Sequence, residues 1–184
     1  MADKPRLLTG NRDMFWSLVV LLAACLVFAA IGGFVTIGKP DPGPVTEFDA
    51  HSALVEDAQH MPFPVREPAL PDGWQSNSGR LESVDGHDVS VVGWVTPSNT
   101  YVELVQTDAP ADSLRGFSKG PRPSAAPITV GGREWTIYSG DDDIRDIWVT
   151  DLGDVRIGLT GGAERGDFET MATAVENAAP LPKS

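Results

Sequence analysis

Residues 15–37 run 23 positions without a charge, FWSLVVLLAACLVFAAIGGFVTI. As a helix rising about 1.5 Å per residue, that stretch reaches ~35 Å, enough to cross a hydrocarbon core of about 30 Å. Each apolar residue at the centre of such a helix favours insertion by roughly 0.3 to 0.6 kcal/mol, and one charge there would oppose it by about 2.5 to 3.5 kcal/mol. Helices buried in soluble domains rarely run this far without a polar face. The pattern predicts a transmembrane helix over residues 15–37, behind a tail over residues 1–14.

The chain then changes character. Residues 38–47, GKPDPGPVTE, hold three prolines, which deny a helix and favour an extended stalk of ~3.1 Å per residue. Thr46 is placed to cap a helix running to about Gln59. Phe48, Leu54, Val55 and Ala58 fall close to one face of it, and Glu47, Asp49, Glu56 and Asp57 supply negative charge mostly near its start. A second proline-rich stretch, residues 61–73, ends it. Alternation follows. Residues 88–96 and 100–107 flank Pro97-Ser98-Asn99 as a hairpin, 128–130 and 133–139 flank Gly131-Gly132, and 146–150 and 154–160 flank Leu152-Gly153. The last element is a helix over 167–178, capped by Asp167, with Phe168, Met171, Ala172 and Val175 at core-facing spacing and Pro180 as its stop. Hairpins bracketed by helices predict an α+β domain over residues 48–180: an antiparallel sheet with helices on one or both faces, and a short tail over 181–184.

Charge decides where that domain sits. The whole chain carries 14 Lys and Arg against 26 Asp and Glu, a net charge of −12, which argues against a nucleic-acid partner because phosphate binding needs clustered cations. Lys4, Arg6 and Arg12 precede the span and only Lys39 follows closely, so the amino end is expected in the cytoplasm of a single-pass inner-membrane protein. Everything after Ile37 then lies outside, with 11 Lys and Arg against 24 Asp and Glu, a net −13. A cleaved signal peptide has a shorter apolar region than this one. Leu22, Ala23, Ala24 and Cys25 also spell a bacterial lipobox, but the next twelve residues stay apolar where a lipoprotein continues into a polar tether. The one cysteine leaves no intrachain disulfide. Cys25, Ala29 and Gly33, four apart, form a stripe of small residues through which two spans can pack as a homodimer.

Most motifs with chemical appeal fail on context. Gly116-Phe117-Ser118-Lys119-Gly120 matches the nucleophile-elbow spacing, yet His51, His60 and His87 all precede Ser118, and ADSLRG before it reads as helical or irregular instead of a strand. Residues 33–39, GFVTIGK, begin like a phosphate loop but run into Pro40 where magnesium binding needs a hydroxyl. Residues 158–166 are glycine-rich without the dinucleotide spacing, which leaves them a loop-closing role. Asp141, Asp142, Asp143 and Asp146 concentrate carboxylates that suit calcium, but no glycine stands at the sixth position and Leu152 replaces the closing glutamate, so a solvated loop is expected. The histidine spacing does not suit zinc. No cofactor and no metal are expected. Trp74, Trp94, Trp135 and Trp148 lie at or inside predicted strands as core residues, with Trp94, Trp135 and Trp148 as candidates to line a ligand pocket. Trp16, near the start of the span, is placed to mark the headgroup level.

The start KPRLLTGNRDMFWSL, the KPDPGP stalk, the Phe63 to Trp74 stretch ending LP-x-GW, and the segments GGREWTIY and WVTDLGDVRIGLTGG resemble an actinobacterial family known as domain of unknown function 4245. The resemblance covers nearly the whole chain, implies a single-pass envelope protein and carries no catalytic residue to transfer. More loosely, a sheet of hairpins with LP-x-GW near its start and a helix at its end is similar to the PsbP/Mog1-like folds, a fold-level analogy that implies no function. The expectation is a non-enzymatic domain, anchored in the bilayer through residues 15–37, that binds a protein or other component of the cell envelope. A carrier or sensor of a small apolar ligand is the alternative, and a hydrolase built on Ser118 a remote third.

Overall fold

The computed structural model describes residues 10–31, 48–118 and 120–183, and in the first of these blocks the side chains of residues 14–25. The predicted stalk, Thr46, Gly33, the side chain of Ala29 and the end of the predicted span at 32–37 lie outside the described residues. The chain divides after Pro44 into two units. In the first, α1 (Gly10–Ile31) takes in 22 residues and begins before the predicted span. Among the described residues no helix is long and apolar enough to cross a membrane.

The second unit is one seven-stranded antiparallel sheet flanked by helices. Its strands are β1 (Gln75–Val84), β2 (His87–Val95), β3 (Tyr101–Thr107), β4 (Ser124–Val130), β5 (Arg133–Ser139), β6 (Ile147–Asp151) and β7 (Arg156–Gly161), in the order β1-β2-β3-β7-β6-β5-β4. Two meanders, β1-β2-β3 and β4-β5-β6-β7, meet where β3 pairs with β7 from Val102↔Gly161 to Thr107↔Arg156. The turns follow from glycine and asparagine. Gly131 and Gly132 take φ of 58° and 94°, the left-handed geometry a two-residue hairpin needs, and Asn99 takes φ 59° in the loop between β2 and β3.

The three predicted hairpins form, and three further pairings, β1-β2, β3-β7 and β5-β6, join them into one sheet. β1 was not foreseen: QSNSGRLESV has little apolar alternation, and it forms because Asp85-Gly86, with φ 49° and 83°, folds it back on β2 in register from Val84↔His87. At the opposite edge, β4 carries no charge. Pro127 pairs with Thr136 three places from the turn, an outward-facing position, so the amide that proline lacks is one a stray strand would otherwise use.

Both remaining helices lie on one face. α2 (Ala50–His60) and α3 (Arg165–Asn177) bury Leu54, Ala58, Phe168, Met171, Ala172 and Val175 against Val92, Trp94, Leu104, Trp135, Trp148, Ile157 and Leu159 of the sheet. Trp148 stacks on Phe168 with ring centroids 5.2 Å apart. The other face packs Val89, Val91, Val105, Ile147, Val149 and Tyr138 beneath Leu114 of a 3-10 turn (Ala111–Gly116) and Phe117.

The helix caps differ from expectation. α2 is capped by Asp49, whose carboxylate accepts from the amide of Ser52 at 3.0 Å and from its hydroxyl at 2.6 Å. Phe48 therefore precedes the helix instead of lying on its face. α3 starts after Glu164, and Asp167 sits in the first turn, where it accepts from the hydroxyls of Ser98 at 3.3 Å and Thr100 at 3.4 Å. A side chain committed to the β2–β3 loop in this way does not cap its own helix.

Candidate functional site

A groove of about 560 Å³ opens beside the start of α2, within the size range of small-molecule sites. Four stretches of chain build it, each fixed by its own contacts. Phe48 donates its amide to Ser76 O at 3.2 Å while Ser76 Oγ donates to Phe48 O, which ties the approach to α2 onto β1. The Phe48 ring then lies over Gly79, where a Cβ would collide with it. Trp74 closes a turn from Pro71 in which Gly73 takes φ 92°, and its indole enters the groove half-buried.

The opposite wall comes from the proline-rich stretch. Gln106, buried in β3, bonds both main-chain groups of Arg66: Arg66 N donates to Oε1 at 2.8 Å, and Nε2 donates to Arg66 O at 3.0 Å. Arg66 adds bonds to Ala178 O at 2.5 Å and to the Asp154 carboxylate at 3.0 and 3.1 Å. Held so firmly, residue 66 fixes the next one: Glu67 Oε2 meets His51 Nδ1 at 2.7 Å across the groove. That bond raises the His51 pKa above its ordinary value, with the charge of Glu67 reinforcing it. The Ser52 hydroxyl and amide hold the Asp49 carboxyl below the usual range.

Of the residues singled out from sequence, Trp94 lines this groove with most of its indole buried. Trp135 and Trp148 lie inside the helix-side core, where Trp135 Nε1 donates to Glu176 Oε1 at 2.6 Å. Ser118 is exposed on a turn at φ 71°, after a 3-10 turn instead of a strand. Among the described residues no histidine bonds to it; the three Nδ1 atoms meet Glu67, Glu56 O and Asp108. Asp141, Asp142, Asp143 and Asp146 are exposed on the loop between β5 and β6, and among the described residues no group of three or more His, Cys, Asp or Glu is arranged to hold a metal. Cys25 is exposed on α1.

A family model described as a protein of unknown function (DUF4245) matches residues 6–175. The chain belongs to the DUF4245 family. No match was found among curated proteins or among solved structures. The DUF4245 match takes in all four stretches that build the groove, together with all seven strands.

Sequence reasoning singled out Trp94 but missed His51, Glu67 and Trp74 as neighbours. The His51–Glu67 pairing depends on the Gln106 clamp, which no local pattern announces. A second residue escaped notice. Arg122 is 2% exposed, and its guanidinium donates to Arg145 O at 2.6 Å, Phe117 O at 2.9 Å and Arg115 O at 3.0 Å, fastening the loops that cover the second face of the sheet.

Proposed function

We propose that this chain is a membrane-anchored binding domain of the cell envelope that works without catalysis. In this reading residues 15–37 cross the inner membrane once, the amino end stays in the cytoplasm, and the sheet domain faces outward on its stalk. The charge-free stretch and the cations ahead of it support the placement. The antiparallel sheet with flanking helices supports the likeness to PsbP/Mog1-like folds.

The observation that carries the binding role is the groove at the start of α2: aromatic and carboxylate side chains converge there on an opening to solvent. A carrier of an apolar ligand would call for an enclosed apolar cavity between sheet and helices. That space is filled by Leu54, Leu104, Trp135, Leu159 and Met171, each fully buried, which favours an occupant taken at the surface. The isolation of Ser118 from the histidines supports a role without hydrolysis.

An alkaline phosphatase reporter, which works only outside the cytoplasm, fused after Ser184 tests the placement. Full activity in intact cells is expected; an inactive phosphatase fusion, with β-galactosidase fused at the same point active in the cytosol, would overturn the anchored reading.

A further inference from the structure

We infer that the groove at the start of α2 takes a saccharide, binding one neutral, polyhydroxylated ring between Trp74 and the His51–Glu67 pair; this rests on the binding role proposed above. The polar atoms left open decide the class. Both Asp49 oxygens are engaged by Ser52, and Ser76 Oγ is engaged by Phe48 O. Glu67 uses Oε2 and His51 uses Nδ1 on each other. Among the described residues Glu67 Oε1 and His51 Nε2 have no hydrogen-bond partner, so the groove offers one strong acceptor and one imidazole nitrogen, held together by a 2.7 Å bond. Phe48, Pro68 and Trp74 supply the apolar wall beside them.

Other ligand classes each meet an obstacle. A wholly apolar ligand would cover Glu67 Oε1 and His51 Nε2 without partners. An anion would face Asp49 and Glu67, and a cation would face the positive end of the 11-residue α2 and, once protonated, His51. A pyranose avoids all three. Its C–H surface packs on the indole, one hydroxyl donates to Glu67 Oε1, and a neighbouring hydroxyl bonds His51 Nε2. Protonated, that nitrogen donates; neutral, it accepts. The charged groups facing His51 are Glu67 and Asp49, and a neutral ligand leaves their balance with His51 unchanged. Affinity for a sugar therefore depends only weakly on pH across the histidine titration, whereas affinity for a cation would rise with pH.

The test uses the full chain in phospholipid nanodiscs, free of glycoside detergents, with maltotriose, mannotriose and chitotriose as probes. Calorimetry and tryptophan emission should show at least one of them saturating at millimolar concentration or below. Trp74→Ala and Glu67→Ala should each weaken it by about tenfold or more, ~1.4 kcal/mol. Trp74→Phe should recover part of the loss, and Leu81→Ser, at an exposed β1 position that does not line the groove, should leave binding unchanged. Circular dichroism confirms that each variant folds. The saccharide assignment falls if no probe saturates, if binding survives both alanine variants, or if tetramethylammonium binds in their place. Should the sugars fail while an extract of native envelope still shifts emission in a Trp74-dependent way, the binding role stands and only the ligand class is wrong. If the extract is also without effect, both fall.

Discussion

The two faces of the sheet are built on different physics. On the helix face, twenty buried apolar residues from α2, α3, the proline-rich stretch and the strands form one cluster; on the other, eight do, under a single 3-10 turn. The second face compensates with directional bonds. Arg122 gathers three carbonyls, and Arg80 forks onto Glu103 at 2.9 and 3.2 Å while also pairing with Glu82. Tyr101 bridges Ser78 at 2.9 Å and Glu103 at 3.1 Å. The helix face draws more on area removed from water, the second face more on directional bonds. Substitutions that delete volume should therefore hurt the first, and those that misplace a donor or crowd a contact should hurt the second.

Trp135→Ala should have the largest effect. Trp135 is fully buried between β5 and α3, and its loss leaves a cavity and an unpaired Glu176 carboxylate. We expect a loss of about 4 kcal/mol in chemical denaturation. A loss below about 1 kcal/mol would mean that the helix face does not depend on filled volume.

Arg122→Ala comes next, at about 3 kcal/mol, because three carbonyls lose their donor in a buried place. Arg122→Lys should recover only part of this, since an ammonium does not reproduce the planar fork. Full recovery by lysine would show that charge, and not donor geometry, holds that face. Gly93→Ala ranks third, at about 2 kcal/mol, because a Cβ there would strike the Tyr101 hydroxyl and Ser78 Oγ. Adding Tyr101→Phe should return part of that loss, and no recovery would place the strain elsewhere.

How much of this was legible in the sequence differs by face. Phe168, Met171, Ala172 and Val175 announced the buried side of α3, and Leu54 and Ala58 that of α2, because apolar area follows helical periodicity. Gly131-Gly132 announced its hairpin for a similarly local reason. β1 was hidden because an edge strand is held by its partner's backbone more than by its own apolar alternation. The second face and the groove were hidden for a further reason. Arg122 bonds across five to twenty-three residues of chain, and His51 meets Glu67 only after Gln106 has clamped residue 66 from forty residues away. Directional contacts between distant residues leave no periodic trace, so sequence reading favours the face built on area.

Asp57→Asn is the smallest and most discriminating change, because it places a charge-and-geometry question on the face built on area. Ser90, fully buried in β2, donates its hydroxyl to Asp57 Oδ2 at 2.5 Å. Burial nevertheless raises the Asp57 pKa, outweighing that bond, with Glu56 adding to the rise and His60 opposing it. A carboxyl whose pKa is higher folded than unfolded binds its proton more readily in the native state. Its contribution to stability is fully present below the unfolded pKa and is lost as pH rises through the folded one. Asparagine never ionises, and its oxygen still accepts from Ser90. Asp57→Asn should therefore melt higher than the wild type at pH 7, by about 0.5 kcal/mol after solvent screening. That gap should close as pH falls through the raised pKa into the ordinary carboxylate range. A variant that instead melts lower at pH 7 would show that the ionised carboxylate binds Ser90 more strongly than burial penalises it, and the helix face would then share the directional character of the other.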